Sequence, residues 1–194
     1  EGTVADVPSL SAPGFIKATA SGTYADVSSC AGIALEVQST SNPDPYTGYR
    51  LSLGNDGSAC GKFFARGYKA NFAAPSGEFG TVKIPFDDFT RCWDDATGDA
   101  IKTCAQDSSV CITNDRKQSL ESLSVWAEGT LGDVKLDIKS VSGYNCGSLA
   151  AKPKVNIVEL AESVDDLSTL VSAVVAADLA ETLSSPGPFT VFAP

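Results

Sequence analysis

Residues 77–89 read Gly77-Glu78-Phe79-Gly80-Thr81-Val82-Lys83-Ile84-Pro85-Phe86-Asp87-Asp88-Phe89. Val82, Ile84 and Phe86 alternate with Thr81, Lys83 and Pro85. Side chains along a strand point to opposite faces in turn, so this pattern spells a strand with one apolar face. Working outward, the same period recurs in Ile33, Leu35 and Val37, and in Tyr49, Leu51 and Leu53. It returns in Leu123 and Val125, and in Val134, Leu136 and Ile138. Gly, Pro, Asn, Asp and Ser bound each run. Short alternating strands with turn-rich joints predict a mainly β domain, an antiparallel β-sandwich, with the second face of each strand in water. No helical pattern of useful length precedes residue 155.

The connections carry further information. Gly54-Asn55-Asp56-Gly57 reads as a hairpin turn. Residues 38–48 and 90–118 are long loops, and a long irregular insertion needs support. Three of the six cysteines, Cys92, Cys104 and Cys111, lie in the second loop; Cys30, Cys60 and Cys146 complete the set. None forms a Cys-x-x-Cys pair, which excludes zinc ribbons and thioredoxin-like motifs. The even count predicts two or three disulfides in an oxidising compartment, with a set of buried free thiols as the other reading. Cys104 with Cys111 would be a local staple, and Cys30 with Cys146 would join the two ends of the domain. Six cysteines allow fifteen pairings, and the sequence does not choose among them.

Composition excludes several functions. There is no His and no Met. Without His, Ser-His-Asp and Cys-His catalysis and most zinc chemistry are removed. The net charge of −10 repels phosphate backbones and anionic membrane surfaces, so no nucleic acid partner is expected. No stretch approaches the ~20 apolar residues that span a bilayer. No Asn-x-Ser/Thr acceptor occurs, which weakens an ordinary glycosylated secretory route.

After a small-residue linker at 147–154, the period changes. Leu167, Leu170, Val171, Val174, Val175, Leu179 and Leu183 fall on one stripe of a predicted helix about twenty residues long. Ser163 with Asp166 resembles a capping box. Ser184-Ser185-Pro186-Gly187-Pro188 ends the helix, and Phe189-Thr190-Val191-Phe192 reads as a strand. Glu159, Glu162, Asp165, Asp166, Asp178 and Glu181 face no Lys or Arg after residue 154. One helix and two short strands cannot bury a core. The polypeptide is therefore expected to continue past Pro194, or the tail to dock on something else.

Two resemblances emerge from these residues. The sandwich, over about residues 14–141, resembles the complex I intermediate-associated protein 30 domain, a galactose-binding-like jelly roll. Gly32–Val37, Tyr49–Leu53, Tyr68–Phe72 and above all Gly77–Phe89 carry the likeness, with Leu123–Val125 and Val134–Ile138. The Cys-rich insertion 90–118 departs from that family. The tail resembles the start of a fasciclin-type domain, through Asn156–Ala161, Leu167–Val174 and Gly187-Pro188-Phe189-Thr190-Val191-Phe192-Ala193-Pro194. The domains expected are therefore 14–146, the sandwich; 147–154, a linker; and 155–194, an incomplete α+β fasciclin-type segment.

The first resemblance implies a non-catalytic part in assembling or stabilising respiratory or photosynthetic complexes, and the second implies adhesion and protein contact outside the cytosol. Together they lead us to expect an accessory subunit on a large membrane-protein complex, peripheral to the membrane, on the lumenal side of a photosynthetic membrane. The alternative is an extracellular adhesion or glycan-binding protein, with Trp93, Tyr46 and Tyr49 as stacking surfaces; for Trp93 and Trp126 alike, packing in the core or at its rim is the other reading. No enzyme activity or resident cofactor is expected. The densest acidic cluster, Asp87-Asp88 with Asp94, Asp95 and Asp99, supplies oxygen ligands that suit a structural Ca²⁺, although it lacks the Glu and spacing of an EF-hand. A solvated acidic turn is the other reading. Adjacent carboxylates point to opposite faces of a strand end, so none is marked as a hydrolytic pair.

Overall fold

A computed structural model describes residues 1–10, 12–147, 158, 161 and 167–184. The chain divides into two units, Glu1–Gly147 and Ser148–Pro194.

The first unit is mainly β and antiparallel. β1 (Gly2–Val4), β2 (Ile16–Ser21), β3 (Gly32–Ser39), β4 (Tyr49–Leu53) and β5 (Tyr68–Asn71) are followed by β6 (Gly80–Pro85). β7 (Ser122–Ala127), β8 (Gly132–Val134) and β9 (Leu136–Tyr144) complete it. A four-stranded sheet runs β2-β7-β4-β5 and a three-stranded sheet runs β6-β3-β9; β1 pairs with β8. The two larger sheets enclose one core. Leu35 and Val37 of β3 meet Tyr49, Leu51 and Leu53 of β4, with Phe86 and Phe89 beside them. The pairing of β1 with β8 brings residues ahead of position 14 into the sandwich.

Four features differ from the sequence reading. Val134 and Ile138 lie on separate strands, β8 and β9. Phe86 is not part of β6 but opens a 3₁₀ turn, Phe86–Asp88, and still turns its ring to the core. Gly54–Gly57 does not close a tight hairpin: β4 and β5 pair, but the chain between them runs through residues 54–67. The fourth difference matters most. β4 is buried on both faces, and so is most of β5. Their second face is covered by the 90–118 insertion rather than by water.

Three disulfides hold the connections: Cys30–Cys146, Cys60–Cys92 and Cys104–Cys111. The first ties the start of β3 to the end of β9. The second joins the 54–67 loop to the insertion. The third closes a short loop around the 3₁₀ turn Ser108–Val110, whose cap, Asp107, accepts from the Ser109 backbone N–H. The hydroxyl and N–H of Ser109, with Lys102, lower the Asp107 carboxyl to about 2. A short helix, α1 (Asn114–Gln118), follows, capped by Thr113.

In the second unit, α2 spans Ser168–Ala176 and α3 spans Ala180–Ser184. The single long helix expected from the apolar stripe is interrupted. Asp178 takes φ 59°, a left-handed conformation that a short polar side chain tolerates. The N–H groups of Asp178 and Leu179 close α2 on the carbonyls of Val175 and Val174. The expected capping box at Ser163–Asp166 and the expected strand at Phe189–Phe192 lie outside the described residues.

Candidate functional site

The covered face of the four-stranded sheet is built by register. Lys17, Trp126, Arg50 and Asn71 form one row across β2, β7, β4 and β5; Thr19, Ser124, Ser52 and Lys69 form the next. Alternation sends these side chains away from the apolar core. The insertion then closes over them.

Lys69 is the centre of this layer. Its Nζ lies 3.5 Å from the ring centre of Trp93 and 3.9 Å from that of Trp126. It donates to Glu128 Oε1 at 2.5 Å, and the two side chains are 1% and 4% exposed. Two indole faces and one carboxylate therefore surround a single ammonium group, an arrangement that favours a cation out of water. Burial still pushes the Lys69 pKa down to about 8, against the upward pull of Glu128. Each indole N–H is also satisfied. Trp93 Nε1 donates to the Gly67 carbonyl at 3.1 Å, and Trp126 Nε1 donates to Ser52 Oγ at 2.9 Å.

Arg50 lies in the same layer. It donates to the carbonyl of Thr47 at 3.1 Å and to Asp99 Oδ1 at 3.1 Å, while its Nε is buried without a partner. The backbone of the insertion approaches closely at Gly98, which has φ 78°. A Cβ there would sit 2.3 Å from Glu128 Oε1, so only glycine fits. Beside the cage is an open cavity of about 370 Å³, with Lys69, Asn71, Asp87, Asp88, Trp93 and Thr103 among its walls.

The acidic residues singled out in the sequence do not converge. Asp94 takes Lys62 at 2.9 Å and the backbone N–H of Ala96, and these bonds lower its pKa. Asp95 accepts from the Phe64 N–H, and Asp99 turns to Arg50. Asp87 and Asp88 stand at the cavity wall instead. Among the described residues, no three His, Cys, Asp or Glu side chains are grouped to hold a metal ion. The aromatic residues read as stacking surfaces are buried: Trp93, Trp126, Tyr46 and Tyr49 all belong to the interior. Tyr46 donates to the Thr130 carbonyl, and burial raises its pKa to about 12. The Tyr49 hydroxyl meets Ser39 and Ser41.

Sequence reasoning missed Lys69 and Glu128. The available signal was a lysine between the apolar neighbours Tyr68 and Ala70, and a glutamate directly after the β7 pattern.

No family model and no solved structure matches this chain. Two relatives from Synechocystis sp. (strain ATCC 27184 / PCC 6803 / Kazusa) do. Uncharacterized protein sll1735 is 67% identical over 39 residues, 20% of this chain and 29% of that protein. Protein sll1483 is 58% identical over 45 residues, 23% of this chain and 25% of that protein. The chain thus spans less than a third of either relative. Complete pairing of the six cysteines points to an oxidising, non-cytosolic compartment.

Proposed function

We propose that this protein is a non-catalytic accessory subunit that stabilises a large membrane-protein complex on the lumenal side of a photosynthetic membrane. The observation that carries the reading is the enclosure of Lys69. A lysine with a pKa near 8 is the side chain here best suited to proton transfer or nucleophilic attack. Its ammonium is held against Glu128, Trp93 and Trp126, which supports a structural part in pinning the insertion to the sheet. The disulfides support an oxidising space, and the cyanobacterial relatives support a photosynthetic setting. The resemblance of the sandwich to an assembly-type domain supports the accessory role. Blue-native separation of gently solubilised photosynthetic membranes tests it. The protein is expected to migrate with a large complex; migration as free protein would overturn the reading.

A further inference from the structure

The loop 54–67 displays two adjacent phenylalanines to solvent. Phe63 is 82% exposed and Phe64 is 74% exposed, and their rings meet edge to face at 4.9 Å. The loop that carries them is tied by a disulfide and by hydrogen bonds at both ends. The Cys60–Cys92 bond anchors the loop. Ser58 Oγ accepts from the N–H groups of Cys60 and Lys62, and Arg66 N–H returns to the Phe64 carbonyl at 2.9 Å. The Phe64 N–H donates to Asp95 at 3.3 Å, and Gly67 N–H to the Asp56 carbonyl at 2.7 Å. A cross-linked, hydrogen-bonded loop holding two apolar rings in water is prepared for a surface that removes them from it.

The surroundings indicate which surface. Lys62 and Arg66 are balanced by Asp94, which bonds Lys62, and Asp95, which accepts from the Phe64 N–H, so the charged groups tied to this stretch cancel on a chain carrying −10. These groups are also spent on one another. Lys62 pairs with Asp94 at 2.9 Å, Arg116 with Asp56 at 2.8 Å, and Arg66 donates to Asn55 at 2.9 Å. A protein socket gains its selectivity from directional polar contacts at the rim, and these groups already have partners. An anionic lipid surface would meet the overall negative charge.

We propose that Phe63 and Phe64 form an anchor that inserts into the interfacial layer of a membrane with uncharged head groups. Aromatic and aliphatic side chains favour that layer, and attachment by two rings is shallow and reversible. This goes beyond the accessory role, because it requires only lipid and no complex.

The test is flotation of the full chain with vesicles of pure phosphatidylcholine. The unmodified protein is expected to rise with the vesicles, nearly independently of salt concentration. Phe63→Ser with Phe64→Ser is expected to lower the bound fraction about tenfold or more while leaving the melting temperature and circular dichroism unchanged. A second variant, Phe63→Trp, places a reporter in the anchor. Its emission is expected to shift to the blue with vesicles and to be quenched by brominated lipid. No flotation of the unmodified protein, flotation that survives the double serine variant, or binding that appears only with anionic lipid would each overturn the proposal. Failure of the accessory reading would instead show as free migration on the native gel with vesicle binding intact.

Discussion

The two loops joined by the Cys60–Cys92 disulfide treat their aromatic side chains in opposite ways. In one, Trp93 follows Cys92 directly and is buried against Lys69 and Trp126. In the other, Phe63 and Phe64 follow Cys60 by a few residues and stand in solvent. The difference lies in what each loop faces. The insertion lies on a sheet face carrying the Lys69–Glu128 pair, and its indole completes the cage around the ammonium group. The 54–67 loop meets the insertion through its backbone, at the N–H groups of Ala59 and Phe64, and leaves its rings in water. A disulfide fixes where a loop is, whereas the facing surface decides which side chains it buries.

The largest effect should come from breaking the buried loop's anchor. Lys69→Met alone, or Glu128→Leu alone, leaves one charge buried and is expected to cost about 3–5 kcal/mol in urea unfolding. The two together, Lys69→Met with Glu128→Leu, should recover most of that loss. Single variants costing under about 1 kcal/mol would mean that the cage is not closed in solution.

Next is the shared bond. Cys60→Ser with Cys92→Ser should cost about 2–4 kcal/mol. Tryptophan emission should shift to the red if the insertion loosens first, and stay constant if the Lys69 cage holds it unaided.

The pH profile gives a smaller effect. The Lys69 pKa is depressed from 10.5 to about 8, so the unfolded chain binds its proton more tightly. Stability therefore rises between pH 8 and 10, by on the order of 2 kcal/mol from this group. Tyr46, raised from 10.0 to about 12, acts in the opposite sense. The unfolded phenol ionises first, so stability falls above pH 10, and burial of Tyr68 adds to that fall. The rise between pH 8 and 10 should vanish in the Lys69→Met, Glu128→Leu double variant, as followed by thermal melts.

The exposed loop should show the smallest effect on folding. Phe63→Ser with Phe64→Ser should change stability by no more than about 0.5 kcal/mol, and Lys62→Met by less than about 1 kcal/mol, because the Lys62–Asp94 pair lies at the surface.

The strands of the core were legible because alternation marks an apolar face directly, as in Leu51 and Leu53. The same alternation was misleading on the opposite face. Arg50, Ser52 and Lys69 have the chemistry of solvated positions, and nothing local announces that residues 90–118 return to cover them. β2 was not read as a strand, since Lys17-Ala18-Thr19-Ala20 offers too little apolar contrast. The break at Asp178 was hidden for a related reason: no glycine or proline interrupts the aliphatic stripe. In the candidate site, Trp93 drew notice as an aromatic residue, but its partners Lys69 and Glu128 are distant in sequence and meet only through sheet register. The acids Asp94, Asp95 and Asp99 were conspicuous as a cluster, yet each is drawn to a different neighbour.

The Cys30–Cys146 bond has a mechanical consequence. Cys146 is the last residue but one of the first unit, so tension applied through the chain that follows reaches a covalent link before it can peel β9 from β3. The load passes to Cys30 and into the start of β3, the central strand of its sheet, which is gripped on both sides by β6 and β9. A tether pulled from its C-terminal side is thus secured at the middle of the sheet rather than at its edge.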